Sequence, residues 1–327
     1  MKRIVLLISA LALCVFGLSS CSSSSSGEST AAPLGSENNP VVVGTLATED
    51  ILPFWVAEAE ELFAQQGVSV DIQVFQSATE LIAGICSEQV HFAMTDPMVA
   101  ASIHASGTEV QITWITLGTS AEQGRFGIMT ADPSIASLED LAGKSIGVGS
   151  NTILEYVMDC LIARANIPAG SIASEELQKL PVRFETMASG QVAAAALPAS
   201  LLALGESRGF TVIADDTTGE NISQSVMIAR SAVLSAEGGS ALLEKLQQAW
   251  NSAVERINAQ PEQYRALLVE KASLPEAIAQ SYHISNYPTT QLPSNATLDP
   301  VLAWMQEKHY LETPLRYNET NGCFEVA

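Results

Sequence analysis

One seven-residue stretch occurs twice in this chain, 102 positions apart. Ser87-Glu88-Gln89-Val90-His91-Phe92-Ala93 matches Ser189-Gly190-Gln191-Val192-Ala193-Ala194-Ala195 at four positions. Near the same offset, the run ending at Gly44 matches the run that contains Gly147. Two matches in one order imply two related units rather than one continuous core. Strand and helix signals alternate through both, the pattern of an α/β fold with parallel sheets.

Val41-Val42-Val43-Gly44-Thr45 is an unbroken β-branched run, as in a strand covered on both faces. Phe54 to Gln66 reads as one helix, with Val56, Ala59 and Phe63 on a face and Gly67 at its end. Val68, Val70, Ile72 and Val74 alternate with polar residues, which is strand periodicity. Ser77 and Glu80 have capping-box spacing, and Asp96-Pro97 reads as an N-cap followed by a first helical position. Strands are expected over 90–94 and 110–116. In the second unit, Ser137-Leu138-Glu139-Asp140 opens a short helix, 145–148 is a strand, and Asn151-Thr152 precede a helix. Strands are read at 182–184, 192–197, 210–214 and 224–229. Beyond Ser240 the chain turns helical. Leu242, Leu246, Ala249, Ala253 and Ile257 form one apolar face, expected to pack on the first unit. Further helices are read from Pro261, over 274–282 and over 298–308.

The N-terminus is of another kind. Lys2 and Arg3 precede an apolar run from Ile4 to Phe16, too short to span a bilayer and suited to a signal peptide. Leu18-Ser19-Ser20-Cys21 is similar to the bacterial lipobox, which implies cleavage before Cys21 and lipidation of its thiol. Residues 22–39 are Ser-rich and of low complexity, a flexible tether. The division is therefore 1–20 signal peptide, 21–39 lipidated tether, 40–120 with 220–327 as lobe 1, and 121–219 as lobe 2. The expected location is extracytoplasmic, lipid-anchored to the bacterial cell membrane.

Charge and chemistry narrow the function. Asp plus Glu number 36 against 15 Lys plus Arg, a net charge of −21. That balance argues against nucleic acid and against anionic membrane surfaces. Cys86, Cys160 and Cys323 are an odd set with no C-x-x-C spacing, read as buried, unpaired thiols. His91, His104, His283 and His309 form no H-E-x-x-H pair, and no G-x-S-x-G, Walker or dinucleotide pattern occurs. No catalytic residue, metal or cofactor is assigned.

In parallel α/β sheets a ligand lies beyond the carboxyl ends of the strands. The residues there are Thr45, Thr48, Glu49 and Asp50, then Gln76, Ser77 and Thr79, then Thr95 and Asp96. Ser150, Asn151, Thr152 and Glu155 follow in the second unit. Ser77, Asp96, Ser150, Asn151 and Thr152 read equally as plain helix caps. Glu49 and Asp50 read equally as solvated loop charges.

Asp140-Leu141-Ala142-Gly143-Lys144-Ser145-Ile146-Gly147-Val148 is similar to the "DLxGKxIGV" entry to the second lobe of periplasmic binding proteins. The stretch at 189–195 resembles that family's "sGqvdaa", and 45–67 its first strand, loop and helix. The resemblance runs from about Val41 to Asp216, within the branch handling nitrate, sulfonates, taurine and the pyrimidine precursor of thiamine. It implies a type II fold of two α/β lobes with a hinged cleft and a mostly helical C-terminal section. It implies a monomeric solute receptor for an ABC permease. The family's ligand loops fall on Leu46, Thr48, Gln76, Ser77, Thr95, Ser150, Asn151 and Thr152, and its hinge near 117–123 and 215–223. Glu49, Asp50, Asp96 and Glu155 depart from an anion-binding cleft. Facing inward, they favour an amine-bearing or heteroaromatic solute; capping helices, they leave the anion reading intact. A surface sensor without transport and a pyridoxal-phosphate enzyme of pyrimidine synthesis are the alternatives. The latter would need a Cys-rich motif that is missing here.

Overall fold

The structure is a computed structural model that describes residues 32–123, 125–168 and 170–327. The expected signal peptide, Cys21 and the tether up to residue 31 lie outside the described residues. The chain runs β1 (Val41–Leu46), α1 (Leu52–Ala59), α2 (Leu62–Gln65), β2 (Val70–Phe75), α3 (Ala78–Cys86), β3 (Phe92–Thr95), α4 (Pro97–Ala105) and β4 (Val110–Leu117). It crosses to β5 (Phe126–Thr130), β6 (Ser145–Val148), α5 (Ile153–Arg164), β7 (Ala173–Glu176), α6 (Leu180–Ala188), β8 (Ala194–Pro198), α7 (Ala199–Ser207) and β9 (Thr211–Asp215). It returns through β10 (Ser225–Arg230), α8 (Ser231–Ser235), α9 (Gly239–Ala259), α10 (Arg265–Lys271), α11 (Glu276–Ala279), α12 (Asn295–Glu307), β11 (Leu315–Asn318) and β12 (Cys323–Val326).

Two open sheets result. One has the order β11-β12-β4-β10-β3-β1-β2 and the other β7-β6-β8-β5-β9. β1 runs parallel to β2 and β3, and β6 runs parallel to β7 and β8. The two units repeat one arrangement. Gly44 of β1 pairs with Ala93, and Gly147 of β6 pairs with Ala195. Each glycine admits a valine from the repeated stretch: a Cβ on Gly44 would lie 3.1 Å from Val90, and one on Gly147 3.4 Å from Val192.

The sheets are not wholly parallel. β10 is antiparallel to β3 and β4, and β5 is antiparallel to β8 and β9. Each follows directly on a crossing between lobes, with no helix to turn the chain back, so it enters its sheet in the opposite sense. The crossings run side by side. Gly118, at φ +89°, has Ser223 O against its α-carbon, where a Cβ would come within 2.3 Å, and Asn221 Nδ2 donates to Gly118 O at 2.8 Å.

The C-terminal helices complete the first lobe. Trp250 of α9 meets Phe54 of α1 at 5.6 Å and Trp114 of β4 at 5.7 Å between ring centroids. Its indole N–H donates to Pro288 O at 3.0 Å, so the ring is buried with its polar atom satisfied. Among the described residues no helix is long and apolar enough to cross a membrane.

Several local readings need correction. The helix read over 54–66 breaks at Glu61, whose φ is +57°, and the turn sets Phe63 edge-on to Phe54 at 5.0 Å. Residues 182–184 belong to α6, because Leu180, Arg183, Phe184 and Met187 share the i, i+3, i+4, i+7 face of a helix. The helix read over 274–282 shrinks to α11. The tether expected over 21–39 does not include 33–39, which is folded: Gly35 N–H donates to Asn39 O and Ser69 N–H to Gly35 O, both at 2.7 Å. The three thiols are free but not buried: Cys86 is exposed, and Cys160 and Cys323 are only half-buried.

The glycine at 44 gives a direct check. Its Cβ would sit 2.5 Å from Leu81 Cδ1, inside van der Waals contact. Gly44→Ala is expected to cost about 1–3 kcal/mol through overpacking. Thermal unfolding should fall by several degrees, whereas Gly190→Ala, where nothing lies within 4 Å, pays only for its positive φ.

Candidate functional site

β3 ends at Thr95 and leaves Asp96 in extended geometry ahead of Pro97. Asp96 Oδ1 accepts the Val99 N–H at 2.8 Å and so caps α4. Its Oδ2 accepts the Ile153 N–H at 3.1 Å, the first residue of α5 in the other lobe. One carboxylate thus ends two helices, one from each lobe. Burial pushes its pKa up to about 6, against the pull of these N–H groups; the nearby Asp50 charge adds to the rise.

Around Asp96 lies a cavity with about 650 Å³ of empty space, part of it open to solvent. Only about 70 Å³ of it admits the centre of a water molecule, so its walls stand close. Leu46, Thr48, Asp50, Ser77, Thr95 and Asp96 line it from the first lobe, and Thr152 from the second. All seven are among the residues singled out in the sequence. Ser77 also accepts the Glu80 N–H at 3.2 Å, so for Ser77 and Asp96 capping and lining coincide. Thr152 does not cap; its hydroxyl donates to Gly149 O at 2.7 Å.

The remaining candidates sit elsewhere. Glu49 faces a second cavity with about 950 Å³ of empty space, beside Arg125, Tyr282 and His283. Among the described residues its Oε2 has no hydrogen-bond partner; burial first, then Asp50, lifts its pKa to about 7. Gln76 lies outside both cavities, its N–H held by Glu80 at 3.1 Å. The hydroxyl and amide of Ser150 are taken by Glu176. Asn151, at φ +57°, donates to Ser102 Oγ of the first lobe at 2.7 Å. Glu155 accepts the Tyr310 hydroxyl at 2.8 Å and pairs with Lys308 at 2.8 Å. Asn151 and Glu155 therefore tie lobe to lobe instead of facing the cavity. Lys179 and Glu80 add a pair at 2.8 Å, and Lys308 and Asp159 another at 3.0 Å.

Other lining residues were missed. Arg183 is 2% exposed, and its Nε, Nη1 and Nη2 donate to Leu177, Ala196 and Gln178 carbonyls at 2.7, 2.9 and 3.3 Å. Burial lowers its pKa to about 10, so it stays charged at neutral pH. Its signal was present: an arginine on the apolar stripe of α6. Ser225 donates to Asp50 Oδ1 at 2.7 Å across 175 residues, and no local pattern announces that. Carboxylates, hydroxyls and one guanidinium thus converge on a narrow cavity, a set suited to orienting a small solute.

A sequence profile of the family described as NMT1/THI5 like matches residues 48–264, about two-thirds of the chain. Curated protein sequences give no match. Solved structures do. The alkanesulfonate-binding protein SsuA from Xanthomonas axonopodis pv. citri, bound to MOPS, is similar at TM-score 0.71 and 13% identity, over 84% of this chain and 95% of that one. The periplasmic aliphatic sulphonate binding protein SsuA from Escherichia coli gives 0.69 and 14%, over 84% and 94%. The periplasmic nitrate-binding protein NrtA from Synechocystis PCC 6803 gives 0.58 and 11%, over 72% and 65%. The two lobes are thus those of the periplasmic-binding-protein fold.

The buried carboxyl of Glu49 makes stability depend on pH. Its folded pKa, about 7, exceeds the ordinary 4.5, so the folded form binds the extra proton. The burden is absent below about pH 4.5 and complete above about pH 7. Glu49→Gln should therefore stabilise the protein on the order of 1–3 kcal/mol at pH 8 and much less at pH 5. Urea unfolding at the two pH values checks both parts.

Proposed function

The chain belongs to the NMT1/THI5-like family, and we propose that it is an extracytoplasmic receptor that captures a small organic solute for an ABC importer. The cavity shared by both lobes at the carboxyl ends of β1 and β3 carries this reading. Solvent enters when the lobes part; a solute bridging Asp50 and Thr152 favours the joined form. The paired crossings at 117–123 and 215–223 are the hinge, since only two segments there need change their dihedrals. The joined form docks on the permease. A differential affinity of a few kcal/mol is enough to shift the population. Cys21 carries the lipid anchor, and the Ser-rich tether gives the monomeric receptor reach from the membrane.

Calorimetry of the mature protein against nitrate, sulfonates, taurine, amines and aminopyrimidines should give one-to-one binding with the solute recovered unchanged. Silence across every class, with the fold intact, would sink the receptor reading. Ala78→Trp fills the cavity at the start of α3 and should weaken any solute found by at least about 100-fold in protein whose fold is verified by circular dichroism. For the anchor, Cys21→Ala in a bacterial host should move the protein from the membrane fraction to the soluble one; unchanged sedimentation with membranes would contradict lipidation.

A further inference from the structure

We infer that the solute carries a positive head, an ammonium or amidinium group, and not a sulfonate or nitrate anion; this rests on the receptor reading above. Two buried carboxyls, Asp50 and Asp96, line the cavity, and Glu49 stands beside Asp50. Among the described residues none of the three has a lysine, arginine or histidine nitrogen within 4.0 Å. Buried carboxylates without a counter-charge are costly, and a cationic ligand removes that cost.

Several groups that would seat an anion are already engaged. Helix N-termini are the natural anion sites of such a cleft. Here the Val99 and Ile153 N–H groups both point at Asp96, and the Glu80 N–H points at Ser77. The protein's own carboxylate stands where a ligand's anion would gain those dipoles. Arg183, the one cation of the lining among the described residues, directs each of its three nitrogens to a carbonyl of its own lobe. A ligand anion about 4 Å from Asp50 would bind roughly 10- to 1,000-fold more weakly than a neutral analogue, whereas a cation gains by the same field. Burial raises the pKa of both acids, the burden a cation relieves.

Matched probes test this. Benzamidine and benzenesulfonate share a ring and differ in the sign of the head; benzylamine and agmatine extend one series, methanesulfonate and nitrate the other. Each is titrated by calorimetry into the mature protein and into Asp50→Asn and Asp96→Asn. At least one cation should bind one-to-one, with Asp50→Asn weakening it at least tenfold and the anions silent. Asp96→Asn serves as the second variant if Asp50→Asn does not fold. One-to-one binding of an anion, kept or tightened in Asp50→Asn, overturns the charge assignment and leaves the receptor standing. A cation whose affinity neither variant changes also overturns it. Silence in both series overturns the receptor reading as well.

Discussion

Among the described residues, the carboxylate of Asp96 is the one point where the two lobes share a hydrogen-bonding group at the head of a helix from each. Its two oxygens take N–H groups from α4 and α5, at 2.8 and 3.1 Å. Everything that places it is set further back. β3 is held between β1 and β10, which fixes where the strand ends. Pro97 then fixes the first helical turn, so the carboxylate cannot swing away without losing its own cap. From the other side, α5 begins directly after the tight loop at Gly149, whose α-carbon is backed by Arg183. Two lobes, each with its own sheet, thus arrive at one carboxylate.

That arrangement couples lobe contact to the cavity. Asp96 holds α5 and lines the space beside it, so a group entering the cavity acts on the joint between the lobes. The outer contacts do not share this property. The pairs from Lys308 to Glu155 and Asp159 join the lobes outside the lining, with Glu155 buried and Lys308 and Asp159 partly exposed. The acids of the cavity are buried and hydrogen-bonded but, among the described residues, have no counter-charge, and there electrostatics is strongest.

Much of this was legible in sequence because it is local. The β-branched run of β1, the Asp96-Pro97 cap and the Ser137–Asp140 capping box depend on neighbours within four residues. The repeat of Ser87–Ala93 at Ser189–Ala195 was legible for another reason: both stretches deliver a valine over a strand glycine. What failed is non-local or weakly patterned. Ser225 and Asp50 meet only through the sheet order. Glu155 looked like a cleft acid, but α5 turns it toward Tyr310. β7, Ala-Ser-Glu-Glu with every residue exposed, has no apolar period to read. The segment at 33–39 looked like tether because glycine and proline serve turns and linkers alike.

A crystal structure of the protein with a solute identified by titration tests the central claim most directly. Density is predicted inside the cavity bounded by Asp50, Asp96 and Arg183, within hydrogen-bond distance of at least one of the two carboxylates and with both lobes in contact with it. Density confined to the outer surface, or to the separate cavity beside Glu49, would contradict the account.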